Sequence, residues 1–196
     1  MMVSRESRPY AFRLNLAYES LLVLGLFLCY GYSLFSKLEW NEEFPCLISP
    51  KSCVIDQLGD LRPVYAITSF IFYSISNLLN SIFVYRMFGF IGFVLLHLYI
   101  FRSFRKVTHQ SSHSALLLTV VATSALPPFI TMAISPNISV YSWSTIAAIA
   151  SIKNLLHGKR YILAVILLTL SLLAYPPSSF FAFTYFAVYQ IIANND

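Results

Sequence analysis

The residues best equipped for chemistry crowd into one short stretch. Five of the eight Asp and Glu residues (Glu39, Glu42, Glu43, Asp56 and Asp60) fall between positions 37 and 62, beside Lys37, Lys51 and Arg62. Clustered carboxylates can serve as a general base or hold a divalent cation through oxygen ligands. The same cluster can equally be the solvated face of a loop that must stay out of an apolar phase. The stretch closes on Asp60-Leu-Arg62-Pro63-Val-Tyr65. Arg62 suits a phosphate, because its planar guanidinium donates two parallel hydrogen bonds. Asp60 and Tyr65 flank it as further candidate binding groups. Cys46 and Cys53 lie in the same stretch, with six residues between them. In an oxidising compartment such a pair can close a disulfide, and in a reducing one it stays as two thiols. Cys29 sits in an apolar run and is expected to remain a free, buried thiol.

The elements that must position these groups are apolar. The 196 residues are 58% hydrophobic and only 11% charged, whereas a water-facing globule carries roughly 25% charged residues. Runs such as Ser114–Ser135 and Tyr161–Ala174 contain no Asp, Glu, Lys or Arg. They do not alternate polar and apolar residues as half-buried strands would. The expected fold is all-α: a single polytopic transmembrane domain over 1–196, with about six spanning helices and one interfacial amphipathic helix. Leu14–Ser36, Met87–Phe101, Ser114–Ser135, Ile138–Leu156 and Tyr161–Tyr175 read as spans, with Ser178–Ala193 as a sixth after the Pro176–Pro177 break. The net charge of +5 does not point to nucleic acid, because the basic residues sit in short clusters between apolar runs. No nucleotide-binding loop or zinc pattern is present. The first apolar run follows three Arg without a small-residue exit, so it reads as an uncleaved anchor.

Charge placement sets the topology. If Pro63–Ile82 lies along the interface, then Arg5, Arg8 and Arg13, the cluster Arg102-Ser-Phe-Arg105-Lys106, and Lys159-Arg160 all fall on the cytoplasmic side. If it spans, they do not. Its pattern agrees, since Ser69, Tyr73, Ser76, Asn77 and Asn80 make one polar face. Ile67, Ile71, Ile75, Leu78 and Ile82 make the opposite one. The other reading of this pattern is an ordinary span whose polar face packs on its neighbours. The expected location is an inner or plasma membrane, with the N-terminus cytoplasmic and residues 37–62 an outer loop.

In this order the elements resemble the GT-C-type polyprenyl-phosphate-sugar glycosyltransferases. These have paired acids soon after the first span, here Trp40-Asn-Glu42-Glu43-Phe, and then a basic-Pro step, Arg62-Pro63, opening an amphipathic helix. An Arg-led span ending in a basic cluster follows, and the next span closes on Leu126-Pro127-Pro128-Phe129. The Leu-rich run ending Tyr175-Pro-Pro177 is similar to one in the phage-type O-antigen glucosyltransferases. The resemblance covers about Leu14 to Ala193. It implies that Glu42 or Glu43 is the catalytic base or a metal-associated carboxylate, and that Arg62 contacts the phosphate of a polyprenyl-phosphate-sugar donor in the membrane. It also implies inverting sugar transfer on the extracytoplasmic face. Members of the family are longer, so the chain reads as such an enzyme or its N-terminal part. The alternative is a non-catalytic polytopic scaffold or an inactive, truncated relative. A transporter fits less well, because only Glu19, His97 and Lys153 put ionisable groups in or near the spans. Glu19 is expected near the inner headgroups and His97 to bond within the bundle.

Overall fold

The computed structural model describes residues 8–35, 48–79, 83–107, 113–124, 139–156 and 160–195. Every element among them is an α-helix: α1 (Arg8–Tyr30), α2 (Tyr32–Phe35), α3 (Pro50–Gly59), α4 (Pro63–Leu78), α5 (Phe83–Val107), α6 (His113–Ser124), α7 (Ser139–Leu156), α8 (Tyr161–Ala174) and α9 (Pro176–Asn195). Leu126–Phe129 and Ser135–Asn137 lie outside the described residues.

Prolines account for several boundaries. Pro50 and Pro63 sit in the first turns of α3 and α4, where a missing N–H costs nothing. Tyr175 is extended at φ −157°, ψ 100°, as a residue before proline must be. It separates α8 from α9. The run expected over Leu14–Ser36 breaks at Gly31, and the span expected over Met87–Phe101 is one helix of 25 residues. Within the stretch expected as an outer loop, residues 50–59 form α3.

Side-chain contacts fix the helix directions. Glu19 pairs with Arg102, Phe27 with Phe90 and Phe35 with Phe83, so α5 runs antiparallel to α1. Tyr18 meets Ser114 and Tyr30 meets Ser124, so α6 runs parallel to α1. Trp143 meets Phe88 and Lys153 meets Tyr99, so α7 follows α5. Ser144 meets Ser171 and Ser151 meets Ala164, so α8 returns. α9 starts beside Tyr175 and brings Tyr185 to Phe104. The six long helices therefore alternate between two ends. One end carries Tyr65, Tyr85, Tyr141 and Tyr175, the other Glu19, Arg102, Arg105, Lys153 and Arg160.

α4 is the exception, because it lies across the tyrosine end. Tyr65 and Tyr73 are about 12 Å apart along the helix axis at 1.5 Å per residue. Yet Tyr65 touches Tyr141 in the first turn of α7, while Tyr73, Phe72 and Ser69 touch Tyr85 and Phe88 in the first two turns of α5. A helix parallel to α5 would have carried these contacts to different depths. Of its polar face, Ser69, Tyr73 and Ser76 are buried and Asn77 is exposed, while Asn80 lies outside the described residues; Ile67, Ile71, Ile75 and Leu78 are exposed.

The core joins four helices: Leu22 and Leu26 of α1, Phe93, Leu96 and Phe101 of α5, Val120 of α6, and Ala148 and Ile149 of α7. Polarity is inverted around it. Ser142, Ser144, Thr145, Ser151, Ser171 and His97 are buried, while Leu21, Leu24 and Leu28 of α1 and Ile162, Val165 and Ile166 of α8 are exposed. Two of the hydroxyls reach carbonyls of the facing helix: Ser151 Oγ donates to Ala164 O at 2.6 Å and Ser144 Oγ to Ser171 O at 3.0 Å, whereas Thr145 Oγ1 donates to Tyr141 O of its own helix at 2.8 Å. Among the described residues one helix, Phe83–Arg105, is long and apolar enough to cross a membrane, and Leu16–Tyr30 and Tyr161–Ala174 are apolar but shorter.

α5 and α7 meet at Gly92. The Trp143 indole lies on its bare backbone, donates from Nε1 to Phe88 O at 3.1 Å and stacks on the Phe88 ring at 5.1 Å. A Cβ at Gly92 would sit 2.6 Å from Trp143 Nε1. Gly→Ala within a helix ordinarily gains about 1 kcal/mol of propensity. Here Gly92→Ala is expected to lose ~1–3 kcal/mol to overpacking. In thermal melts of detergent-solubilised protein, much of that loss should vanish in the Gly92→Ala, Trp143→Leu double variant. An additive double variant would contradict the clash.

Candidate functional site

Arg62 is placed by the way α3 ends. Leu61 N donates to Leu58 O and Arg62 N to Gln57 O, both at 3.0 Å, and Leu61 has φ 58°. This is the Schellman end of a helix, with Leu61 in the left-handed position that glycine usually takes. A non-glycine residue there costs roughly 1–2 kcal/mol. The turn leaves Arg62 directly before Pro63, where its carbonyl accepts the Ala66 N–H at 2.9 Å in the first turn of α4. The backbone of Arg62 is thus fixed from both sides.

Its side chain lies on an aromatic floor. The Arg62 Cζ is 5.4 Å from the centre of the Tyr175 ring, inside the range of a cation–π contact. Tyr175 stacks on Tyr141 at 3.5 Å, with 13° between their planes, and Tyr141 reaches Tyr65 at 6.1 Å. Tyr65, Val140 and Ala174 form the buried base beneath. Asp60 Oδ2 is 3.8 Å from Arg62 Nη1, and their side chains are 58% and 29% exposed. That distance is an ion pair without a good hydrogen bond, so the guanidinium keeps donors for an external oxyanion. Burial, reinforced by the neighbouring tyrosines, pushes the Tyr65 phenol well above its usual value. It stays protonated and can donate or accept a hydrogen bond but not serve as a base.

The structure therefore pairs Asp60 with Arg62, lays Arg62 on Tyr175, and places Tyr65 one ring further off, against Tyr141. Tyr175 was visible in the sequence as part of the Tyr-Pro-Pro step. Tyr141 carried no signal beyond being one of 13 tyrosines. Glu39, Glu42, Glu43 and Cys46 lie outside the described residues, as does the side chain of Cys53, whose backbone belongs to α3. The expected catalytic carboxylates and the Cys46–Cys53 pair are therefore not described. Asp56 is on α3 and exposed, and Cys29, expected to be buried, is a free thiol exposed on the outer surface of α1. Among the described residues no group of three His, Cys, Asp or Glu could hold a metal ion.

The opposite end has its own polar cluster. Arg102 grips Glu19 with two hydrogen bonds, Nε to Oε1 at 2.9 Å and Nη2 to Oε2 at 2.6 Å, and Arg105 Nη1 lies 3.9 Å from Oε1. His97, between the two ends, donates from Nδ1 to Phe93 O of its own helix at 2.9 Å. No protein family, curated protein or solved structure matches the chain.

If the Tyr175 ring is what holds Arg62, ring and hydroxyl can be separated. Tyr175→Phe keeps the stack and should change stability by less than about 0.5 kcal/mol. Tyr175→Ala removes both contacts of a half-buried ring and should cost ~1–3 kcal/mol. Thermal melts of the two variants in the same detergent make the comparison, and equal losses would mean that the hydroxyl matters and the ring does not.

Proposed function

We propose that the chain is a polytopic membrane protein that binds the phosphate of a polyprenyl-phosphate sugar at Arg62 and transfers the sugar on the extracytoplasmic face, as a GT-C-like glycosyltransferase or the N-terminal part of one. The supporting observation is the setting of Arg62. A partly exposed guanidinium is fixed by the Schellman turn and the Tyr175–Tyr141 stack, at the end of the bundle where α4 lies crosswise. A helix across the bundle end, with its polar face on the protein and its isoleucines outward, suits the boundary between headgroups and acyl chains. A lipid phosphate sits at that level.

Membrane embedding is further favoured by the inverted polarity of the bundle. In water, exposed Leu and Ile over buried Ser and His would be costly, whereas in lipid interhelical hydroxyl–carbonyl bonds are a usual way to join helices. At about 35 Å by helical rise, the apolar stretch Phe83–Arg105 of α5 matches a hydrocarbon core of about 30 Å. The basic residues at the end opposite Arg62 favour that end as the cytoplasmic one.

In the reaction, a carboxylate from Glu42 or Glu43 takes the proton of an acceptor hydroxyl. The resulting oxygen attacks the anomeric carbon of the sugar. The bond from that carbon to the phosphate oxygen breaks, and polyprenyl phosphate leaves with the electron pair. Negative charge grows on the phosphate as it departs, so Arg62 would stabilise the transition state more than the ground state. Tyr65, protonated throughout, remains a neutral neighbour.

Two sets of variants test this. Arg62→Ala should weaken binding of a polyprenyl phosphate by about tenfold or more, as expected for a lost charge-assisted hydrogen bond. Arg62→Lys should recover part of it, and Lys51→Ala should leave it nearly unchanged. Glu42→Gln and Glu43→Gln should abolish glycan transfer in one or both cases while the protein still folds. Transfer-independent function surviving all of these variants would favour the scaffold reading. Equal binding losses for Arg62→Ala and Lys51→Ala would remove Arg62 from its role.

A further inference from the structure

We propose that the groove between α1 and α5 at the arginine end binds one anionic phospholipid, with its phosphate at Arg102 and Arg105 and one acyl chain along α1. This rests on the membrane reading above, but uses a site at the other end of the bundle and no residue of the transferase site. The groove has a volume of about 470 Å³ and is lined chiefly by Leu16, Glu19, Val23, Leu24, Phe27 and Leu98. Its apolar floor runs from Leu16 to Phe27, which is ~16 Å at 1.5 Å per residue. One leaflet of a hydrocarbon core is ~15 Å deep. A single acyl chain therefore fits the floor from end to end.

Charge at the mouth selects the headgroup. Among the described residues Glu19 is the one carboxylate lining the groove, and Arg102 already takes both of its oxygens. Arg105 adds a second positive charge 3.9 Å from the same carboxylate, and its Nη1 is buried without a hydrogen-bond partner among the described residues. One negative and two positive charges leave a surplus of one. Lys153 and Arg160 stand at the same end of the bundle. The Arg102 side chain is 58% exposed, so its outer edge is open to a phosphate after Glu19 has been satisfied. A zwitterionic lipid would bring a second cation to an already basic mouth, whereas an anionic one brings the missing charge.

The test uses the full chain in neutral detergent, titrated with phosphatidylglycerol or phosphatidylcholine and read by native mass spectrometry. Wild type should retain one phosphatidylglycerol per chain, and about fivefold more tightly than phosphatidylcholine. Arg105→Gln removes the surplus charge but leaves the Glu19–Arg102 pair intact, and it should erase that preference. Leu24→Trp, at an exposed position on the floor, should weaken retention of both lipids. Arg62→Ala, which tests the transferase site, should bind phosphatidylglycerol as wild type does. Equal retention of the two lipids by wild type, or an undiminished preference in Arg105→Gln, would overturn the proposal. So would displacement of the lipid by inorganic phosphate alone, since the groove would then contribute nothing. A chain that stays monodisperse in buffer without detergent would instead remove the membrane reading itself.

Discussion

A missing side chain at Gly92 holds the tyrosine end together. With no Cβ there, α7 can lay Trp143 against the backbone of α5, and the indole N–H reaches the Phe88 carbonyl. Phe88, stacked under the indole, presents its ring to Phe72 of α4 at 4.4 Å, and Phe72 stacks in turn on Tyr85. Those contacts dock α4 across the bundle. Its first turn then carries Tyr65 to Tyr141 and sets Arg62 over Tyr175. A clash at Gly92 would therefore be felt at Arg62 through a chain of stacked rings. A position with no chemistry of its own controls where the chemical groups stand.

The second organising fact is the inverted polarity. The α7–α8 contact is a seam of serine and alanine, which lets the two backbones approach closely enough for hydroxyls to reach carbonyls across the gap. Each such bond contributes about 0.6 kcal/mol in a membrane setting, so the seam contributes register more than raw stability. At the arginine end the Glu19–Arg102 fork clamps α1 to α5 in the same way. The bundle is thus clasped at both ends, by aromatic stacking at one and by a bidentate ion pair at the other.

Much of the fold was legible because its cues are local. Apolar runs marked the long helices, Pro63 marked the start of α4, and Pro176–Pro177 marked the break after Tyr175. α3 was not legible. Its sequence mixes polar and apolar residues without a clear period, and its end takes Leu61 in a conformation that normally announces itself as glycine. α5 proved longer than its apolar run because the helix continues through Arg102 and Arg105, and a run defined by hydropathy stops at the first charge. The Glu19–Arg102 pair joins residues 83 positions apart, and only the register of two helices reveals it. In the candidate site, Asp60, Arg62 and Tyr65 were readable from the basic-Pro step. Tyr141 was not, because its role comes from α7 beginning beside the end of α8.

The two-ended architecture underlies both the site at Arg62 and the groove at Arg102, and it makes a simple demand. Under the membrane reading proposed above, the two ends face opposite sides of the bilayer. Single cysteines at Ser52 on α3 and Ser114 at the start of α6, in a background without Cys29, Cys46 and Cys53, can be labelled in intact cells with a membrane-impermeant maleimide. The architecture predicts that Ser52→Cys is labelled from outside, and that Ser114→Cys is labelled only after the membrane is permeabilised. Labelling of both positions from the same side would contradict it.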